Sequence, residues 1–335
     1  MRNTPPVKNR IQWVDYAKGI GIVLVIYSHV LRGLHHTPWL SLSQEFFYYS
    51  DTFVYSFHMP LFFLLAGLFV QKSMAKTTTF FVNKLKIIVY PYFVWSLIQL
   101  GLQIVFSNHT NHIVTLRQLP EIFYAPFFQF WFLYALFIIY CVYALLHRTK
   151  NKYFILAVSL LLYLFQYYAR AKIGILNTAM QYCLYFVMGA LLAPTFFELS
   201  EKKSFGSPFQ VISAAVVCCA VQGMLLYYRV NYALFLSIIM ALLGIFMVIQ
   251  LAHFLADRSR LPLLRYLGRH SLEIYVAHGI FFSGTRIALY SLVGVQDVYA
   301  HLVCGIVAGI AGPLIIVAAC NRWNAYFLFR LNQRR

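Results

Sequence analysis

The sequence predicts an all-α, polytopic membrane protein of about ten transmembrane helices with both termini in the cytoplasm. Hydrophobic residues make up 61% of the 335 positions and aromatic residues 18%, against 11% charged. That is more apolar surface than one water-soluble domain can bury. Ten apolar stretches of near-spanning length recur along the chain, and the Lys and Arg between them alternate between rich and poor segments.

The first apolar run, residues 17–34, follows a basic segment but lacks a small-residue cleavage site, so it reads as a retained span rather than a leader. The second, 53–70, holds Pro60, and the third, 87–106, starts behind Lys84 and Lys86 and holds Pro91. Runs at 127–146 and 154–168 follow; the latter is short, and Arg170, Lys172 and Gly174 separate it from the sixth, 175–197. The remaining runs are 209–228, 232–255, 272–292 and 300–320. A helix of about 20 residues crosses a hydrocarbon core about 30 Å thick.

A net charge of +18 by itself admits nucleic acid, but the placement of the cations answers differently. With the amino terminus inside, 21 of the 27 Lys and Arg fall on the inner side: Arg2, Lys8, Arg10, Lys18, Lys72, Lys76, Lys84, Lys86, Arg148, Lys150, Lys152, Lys202, Lys203, Arg258, Arg260, Arg265, Arg269, Arg322, Arg330, Arg334 and Arg335. Arg32, Arg117, Arg170, Lys172, Arg229 and Arg286 fall outside. The excess is a topology signal, with a second use in meeting anionic lipid or an anionic cytoplasmic ligand. No nucleic-acid partner is expected. The six cysteines, Cys141, Cys183, Cys218, Cys219, Cys304 and Cys320, all sit in apolar runs without a C-x-x-C pair and read as small hydrophobes.

No internal repeat, low-complexity tract or flexible linker divides the chain, so residues 1–335 are expected to form one integral-membrane domain with no soluble domain. The longest external stretches, 34–52 and 107–126, are rich in aromatic, His and polar residues. That composition suits a neutral sugar-like acceptor, and an interfacial aromatic belt produces it equally well.

Titratable residues inside the runs supply the site candidates. At about 100° per residue, Lys18 falls within roughly 20° of His29 and Asp15 within roughly 40°, so one helical stripe carries all three. His29 lies about 16 Å beyond Lys18, near the middle of a membrane whose surface Lys18 marks. A histidine hydrogen-bonded between helices would also account for it. Phe57-His58-Met59-Pro60 places a His beside a residue that removes a backbone donor, which is tolerated where helices line a polar cavity. Lys84 and Lys86, with Lys72 and Lys76, make a basic rim able to bind phosphates of a donor or of lipid headgroups. In Ser271-Leu272-Glu273-Ile274-Tyr275-Val276-Ala277-His278, the i, i+4, i+7 spacing of Ser271, Tyr275 and His278 makes a polar seam. No G-x-S-x-G, H-E-x-x-H, Walker or dinucleotide motif is present. No metal is expected, because no two His or acid ligands share a turn within an apolar run.

Taken in order, Val14-Asp15-Tyr16-Ala17-Lys18-Gly19-Ile20 with His29, the segment 57–67, the segment 84–95, Trp131-Phe132-Leu133-Tyr134 and the segment 271–278 resemble the acyltransferase-3 family of bacterial membrane O-acyltransferases, in particular its fucose 4-O-acetylase-like branch. In that family a basic residue, usually Arg, stands eleven positions before the first-helix His; here Lys18 takes that place, keeping the charge and losing the bidentate fork.

The resemblance implies a multi-pass enzyme of the bacterial inner membrane that uses cytoplasmic acetyl-CoA to acetylate a hydroxyl of an extracytoplasmic or lipid-linked glycan. It implies acetyl-CoA as acyl donor with no permanently bound cofactor, and a glycan and membrane lipid as partners. The candidate catalytic residues are His29 and Asp15. Lys18, Lys84 and Lys86 are candidates for holding the donor, and His58, Trp131, Glu273 and His278 for substrate. Many relatives carry a further hydrolase-like domain after the helices; here a stand-alone enzyme is expected. A neutral imidazole can serve as base or as nucleophile for acyl transfer near pH 7. Two other readings stand beside this one. Ten helices with mid-membrane polar groups also describe a glycan exporter, although residues 1–170 and 171–335 show no inverted-repeat correspondence. An O-succinyltransferase, or transfer to an amine, is also compatible, with Arg32, Arg117 and Arg286 available for an added carboxylate.

Overall fold

The computed structural model describes residues 11–75, 77–106, 115–169, 173–202, 205–230 and 234–331. Arg2, Lys8, Arg10, Lys76, Arg170, Lys172, Lys203, Arg334 and Arg335, used above for topology or for the basic rim, lie outside the described residues, as do 107–114 of the second external stretch. Among the described residues the chain is helical and contains no strand. Its α-helices are α1 (Gln12–His35), α2 (Gln44–Gly67), α3 (Val70–Met74), α4 (Thr77–Lys84), α5 (Tyr90–Val105), α6 (Trp131–His147), α7 (Lys152–Ala169), α8 (Ile175–Ser200), α9 (Pro208–Tyr227), α10 (Leu234–Asp257), α11 (Pro262–Arg269), α12 (Ser271–Ser291) and α13 (Val298–Trp323).

Each apolar run read from the sequence falls on a helix, with α3, α4 and α11 as short additions. Among the described residues, 7 helical segments are long and apolar enough to cross a membrane: Gln12–His35, Thr79–Val105, Leu116–His147, Ile175–Ser200, Pro208–Tyr227, Leu236–Asp257 and Val298–Trp323. α2 and α12 fall outside that set despite their length. They hold Glu45, Asp51 and His58, and Glu273, His278 and Arg286, whose polarity lowers their hydropathy. The outer faces are lipid-like: Ile212 and Val216 on α9, and Val303, Val307 and Ile315 on α13, are well exposed in mid-helix.

α1 is the central element, packed by α2, α10, α11, α12 and α13 and burying Tyr16, Ile22, Ile26 and Leu31. Its crossing with α11 is close enough to require glycine. A Cβ on Gly19 would run into the Leu264 backbone carbonyl, and one on Gly268 into that of Asp15. Small residues let helix backbones approach in this way.

Two local features depart from the sequence reading. The stretch 34–52 is not wholly a loop, because α2 starts at Gln44, where the Ser43 side chain accepts the Phe46 N–H and caps the helix. Asp51 thereby becomes a helical residue. Between α4 and α5 the chain widens into a π-turn, Leu85–Val89, with the Tyr90 N–H reaching Leu85 O. Pro91 has no N–H for the carbonyl four residues earlier, so the ladder changes register just before it. Pro60 by contrast lies inside α2 without ending it.

Candidate functional site

The second halves of α1, α5 and α12 enclose a cavity of about 780 Å³. Its wall carries His29, Arg32, Gln99, Gln129 and Arg286 among apolar side chains such as Leu102, Phe106 and Phe282. Because these are late residues of their helices, the cavity belongs to the end of the bundle marked by His36; the other end is marked by Lys84. His29 is half-buried, and the cavity is what exposes it.

Around His29 three helices bring polar groups together. Its ring centroid lies 5.1 Å from that of His278 on α12, tilted by 54°. His278 is fully buried; its Nδ1 lies 2.6 Å from Tyr275 O, and a carbonyl can only accept, so Nδ1 carries the proton. Nε2 is then a lone pair, and it has no partner among the described residues. Tyr275 donates its hydroxyl proton to Gln129 O. The seam expected from Ser271, Tyr275 and His278 is therefore a hydrogen-bonded line at its last two members.

One turn beyond His29, Arg32 makes a bidentate pair with Asp51 of α2, both contacts at 2.8 Å, and Ser28 Oγ donates to the same carboxylate at 3.0 Å. The Tyr55 ring lies under the guanidinium at 3.9 Å. His58 is buried, with Nδ1 2.8 Å from Val54 O. Gln99 and Gln129 face each other in a reciprocal amide pair, at 2.7 and 3.3 Å. Each amide spends one N–H on the other, leaving its second N–H for the cavity.

The structure does not bring the other candidates to His29. Asp15 lies fourteen residues earlier on α1, about 21 Å away along the axis, and its carboxylate is 3.3 Å from Arg269 Nε. The shared stripe is real, but its two ends meet different neighbours. Lys18 is half-buried near that same end. Lys84 turns inward, its Nζ 3.8 Å from the Tyr140 ring centroid, whereas Lys86 is half-buried on the π-turn. Trp131 stacks on Tyr182, centroids 5.6 Å apart, and does not line the cavity. Glu273 is buried where the chain returns after α13: Arg330 reaches it at 3.3 Å, Phe329 is fully buried against Trp95, and Trp95 donates to Leu328 O at 2.9 Å.

Sequence reasoning singled out neither the Arg32–Asp51 pair nor the two glutamines. Arg32 stands at i+3 from His29 and Gln99 is one of two amides, with Gln103, in an apolar run, so both carried a weak signal. Asp51 carried none, since it read as loop.

The family model described as an acyltransferase domain, that of acyltransferase-3, matches residues 11–318. No curated protein and no solved structure matches the chain.

Proposed function

The chain belongs to the acyltransferase-3 family, and from that premise we propose that it moves an acetyl group from cytoplasmic acetyl-CoA to a hydroxyl of an extracytoplasmic or lipid-linked glycan. The observation that carries this reading is the position of His29: three-quarters of the way along a largely buried helix, yet open to a cavity on the His36 side. The Lys and Arg distribution supports an arrangement of ten spans with the Lys84 end in the cytoplasm of a bacterial cell membrane. The motif order supports placement in the fucose 4-O-acetylase-like branch.

In this reading the acceptor hydroxyl sits in the cavity and the donor arm reaches His29 from the Lys84 end, with Lys86 and Lys18 on its phosphates. His29 takes the hydroxyl proton as the oxygen bonds to the thioester carbonyl carbon; the carbon–sulfur bond breaks, and CoA leaves as a thiolate that takes up the proton. His278 orients the base: its unpartnered Nε2 can accept the single N–H of neutral His29, leaving the other His29 nitrogen as the base, and the ring separation allows facing nitrogens to come within hydrogen-bond reach. The second N–H groups of Gln99 and Gln129 are donors for sugar hydroxyls.

The test supplies radiolabelled acetyl-CoA to the cytoplasmic face of inside-out vesicles containing wild type or His29→Ala. Label in glycan or lipid-linked sugar that depends on His29 supports the assignment; equal labelling by the variant removes it.

A further inference from the structure

We propose that the cavity binds an anionic acceptor and that Arg286 holds its charged group, a carboxylate or a phosphate, about one helical turn from His29. This rests on the acyltransferase reading for the identity of the reacting group, but the binding itself needs no turnover.

Arg286 is 8% exposed and lines the cavity. Its Nη1 donates to Gly33 O and to Thr37 Oγ1, both at 2.8 Å, and both partners are uncharged. All nine Asp and Glu side chains of the sequence lie among the described residues, and none pairs with Arg286. A buried guanidinium without a counter-ion is costly, and buried charges are normally paired. The last turn of α1 supplies partial negative charge and the Gly33 carbonyl, and Thr37 just beyond it a hydroxyl, which explains where Nη1 points but leaves Nε and Nη2 without a partner among the described residues. Arg32, on the same wall, shows what a satisfied arginine looks like here: a bidentate carboxylate on one face and an aromatic ring on the other. The missing partner of Arg286 has the chemistry that Asp51 gives Arg32.

The spacing suits a sugar. Gly33 follows His29 by four residues, so the anion sits about 6 Å along α1 from the imidazole. A ring hydroxyl is separated by a similar length from a uronic carboxylate, or from a phosphate on the anomeric carbon, within one monosaccharide unit. The apolar lining from Leu102, Phe106 and Phe282 suits a ligand that also carries hydrocarbon.

The experiment measures equilibrium binding to the full chain in nanodiscs of neutral lipid, using octyl glucuronide, octyl glucoside and farnesyl-diphosphate-linked N-acetylglucosamine. Binding of at least one anionic probe about tenfold or more tighter than octyl glucoside is expected, with that preference lost in Arg286→Gln and retained in part by Arg286→Lys. Preference for the glucuronide assigns the charge to a sugar carboxylate; preference confined to the diphosphate assigns it to the lipid linkage. Equal binding of neutral and anionic probes, or a preference that survives Arg286→Gln, overturns the proposal. If Arg286→Gln does not assemble, phenylglyoxal labelling of Arg286 in wild type, read by mass spectrometry, replaces it. The favoured anionic probe should protect Arg286 and octyl glucoside should not; equal labelling overturns the proposal. Anion preference without acetyl transfer would leave this site standing and sink the reaction, and transfer without preference would do the reverse.

Discussion

The imidazoles of His29 and His278 lie 5.1 Å apart across the contact between α1 and α12, and they differ in what surrounds them: His29 opens to the cavity, whereas His278 is sealed and bonded to Tyr275 O. In the proposed reaction one ring meets substrate and the other holds it. His278→Ala should therefore lower kcat by about 10- to 100-fold with little change in KM for acetyl-CoA or acceptor, since it removes an orienting acceptor rather than the base. His278→Gln, which retains an acceptor, should recover part of the rate. An equal rise in both KM values would instead show that the ring shapes the pocket.

His29→Ala should reduce acetyl transfer by about 100-fold or more while leaving the melting transition in detergent close to wild type. Among the described residues the ring has no hydrogen-bond partner in the resting structure, so its removal breaks none. A collapsed transition in that variant would reassign His29 to packing.

The two lysines beside the π-turn should behave differently. Lys84 is committed to the Tyr140 ring, so Lys84→Ala should cost about 0.5–2 kcal/mol of stability through the lost cation–π contact. Lys86→Ala should raise KM for acetyl-CoA several-fold with stability unchanged. Titrating donor concentration in vesicles and melting both purified variants separates the two; an unchanged donor KM for Lys86→Ala would assign that residue to lipid headgroups.

Asp51→Ala leaves Arg32 without its bidentate partner and Ser28 without its acceptor. A loss of about 1.5–3 kcal/mol is expected, and it should be smaller in Arg32→Met with Asp51→Leu, where both charges are gone. A double-mutant cycle on thermal stability gives the coupling; a value near zero would make the pair incidental.

The α1–α11 crossing tolerates no side chain at Gly268, where a Cβ would enter the Asp15 carbonyl. Gly268→Ala should destabilise by about 1–3 kcal/mol or prevent assembly, and should also disturb the Asp15–Arg269 pair. Gly284, which has open space around it, should accept Ala without a shift in melting temperature.

Much of this architecture is written in local pattern. Apolar runs and the positions of Lys and Arg fix where helices form, because burying backbone in hydrocarbon forces each run to satisfy its own hydrogen bonds. Helical spacing alone puts Asp15, Lys18 and His29 on one stripe of α1 and joins Tyr275 to His278 on α12. Spacing names a face, though, not its neighbour. That α12 lays His278 beside His29, that Asp15 is taken by Arg269 fourteen residues from the site, and that Asp51 joins Arg32 from a segment read as loop were decided by helix packing. So was the cavity itself: Gln99, Gln129 and Arg286 come from distant parts of the chain and acquire a common role only where α5, the turn just before α6, and α12 close around the end of α1. Each side chain's surroundings are set by contacts far apart in sequence, and no local period records them.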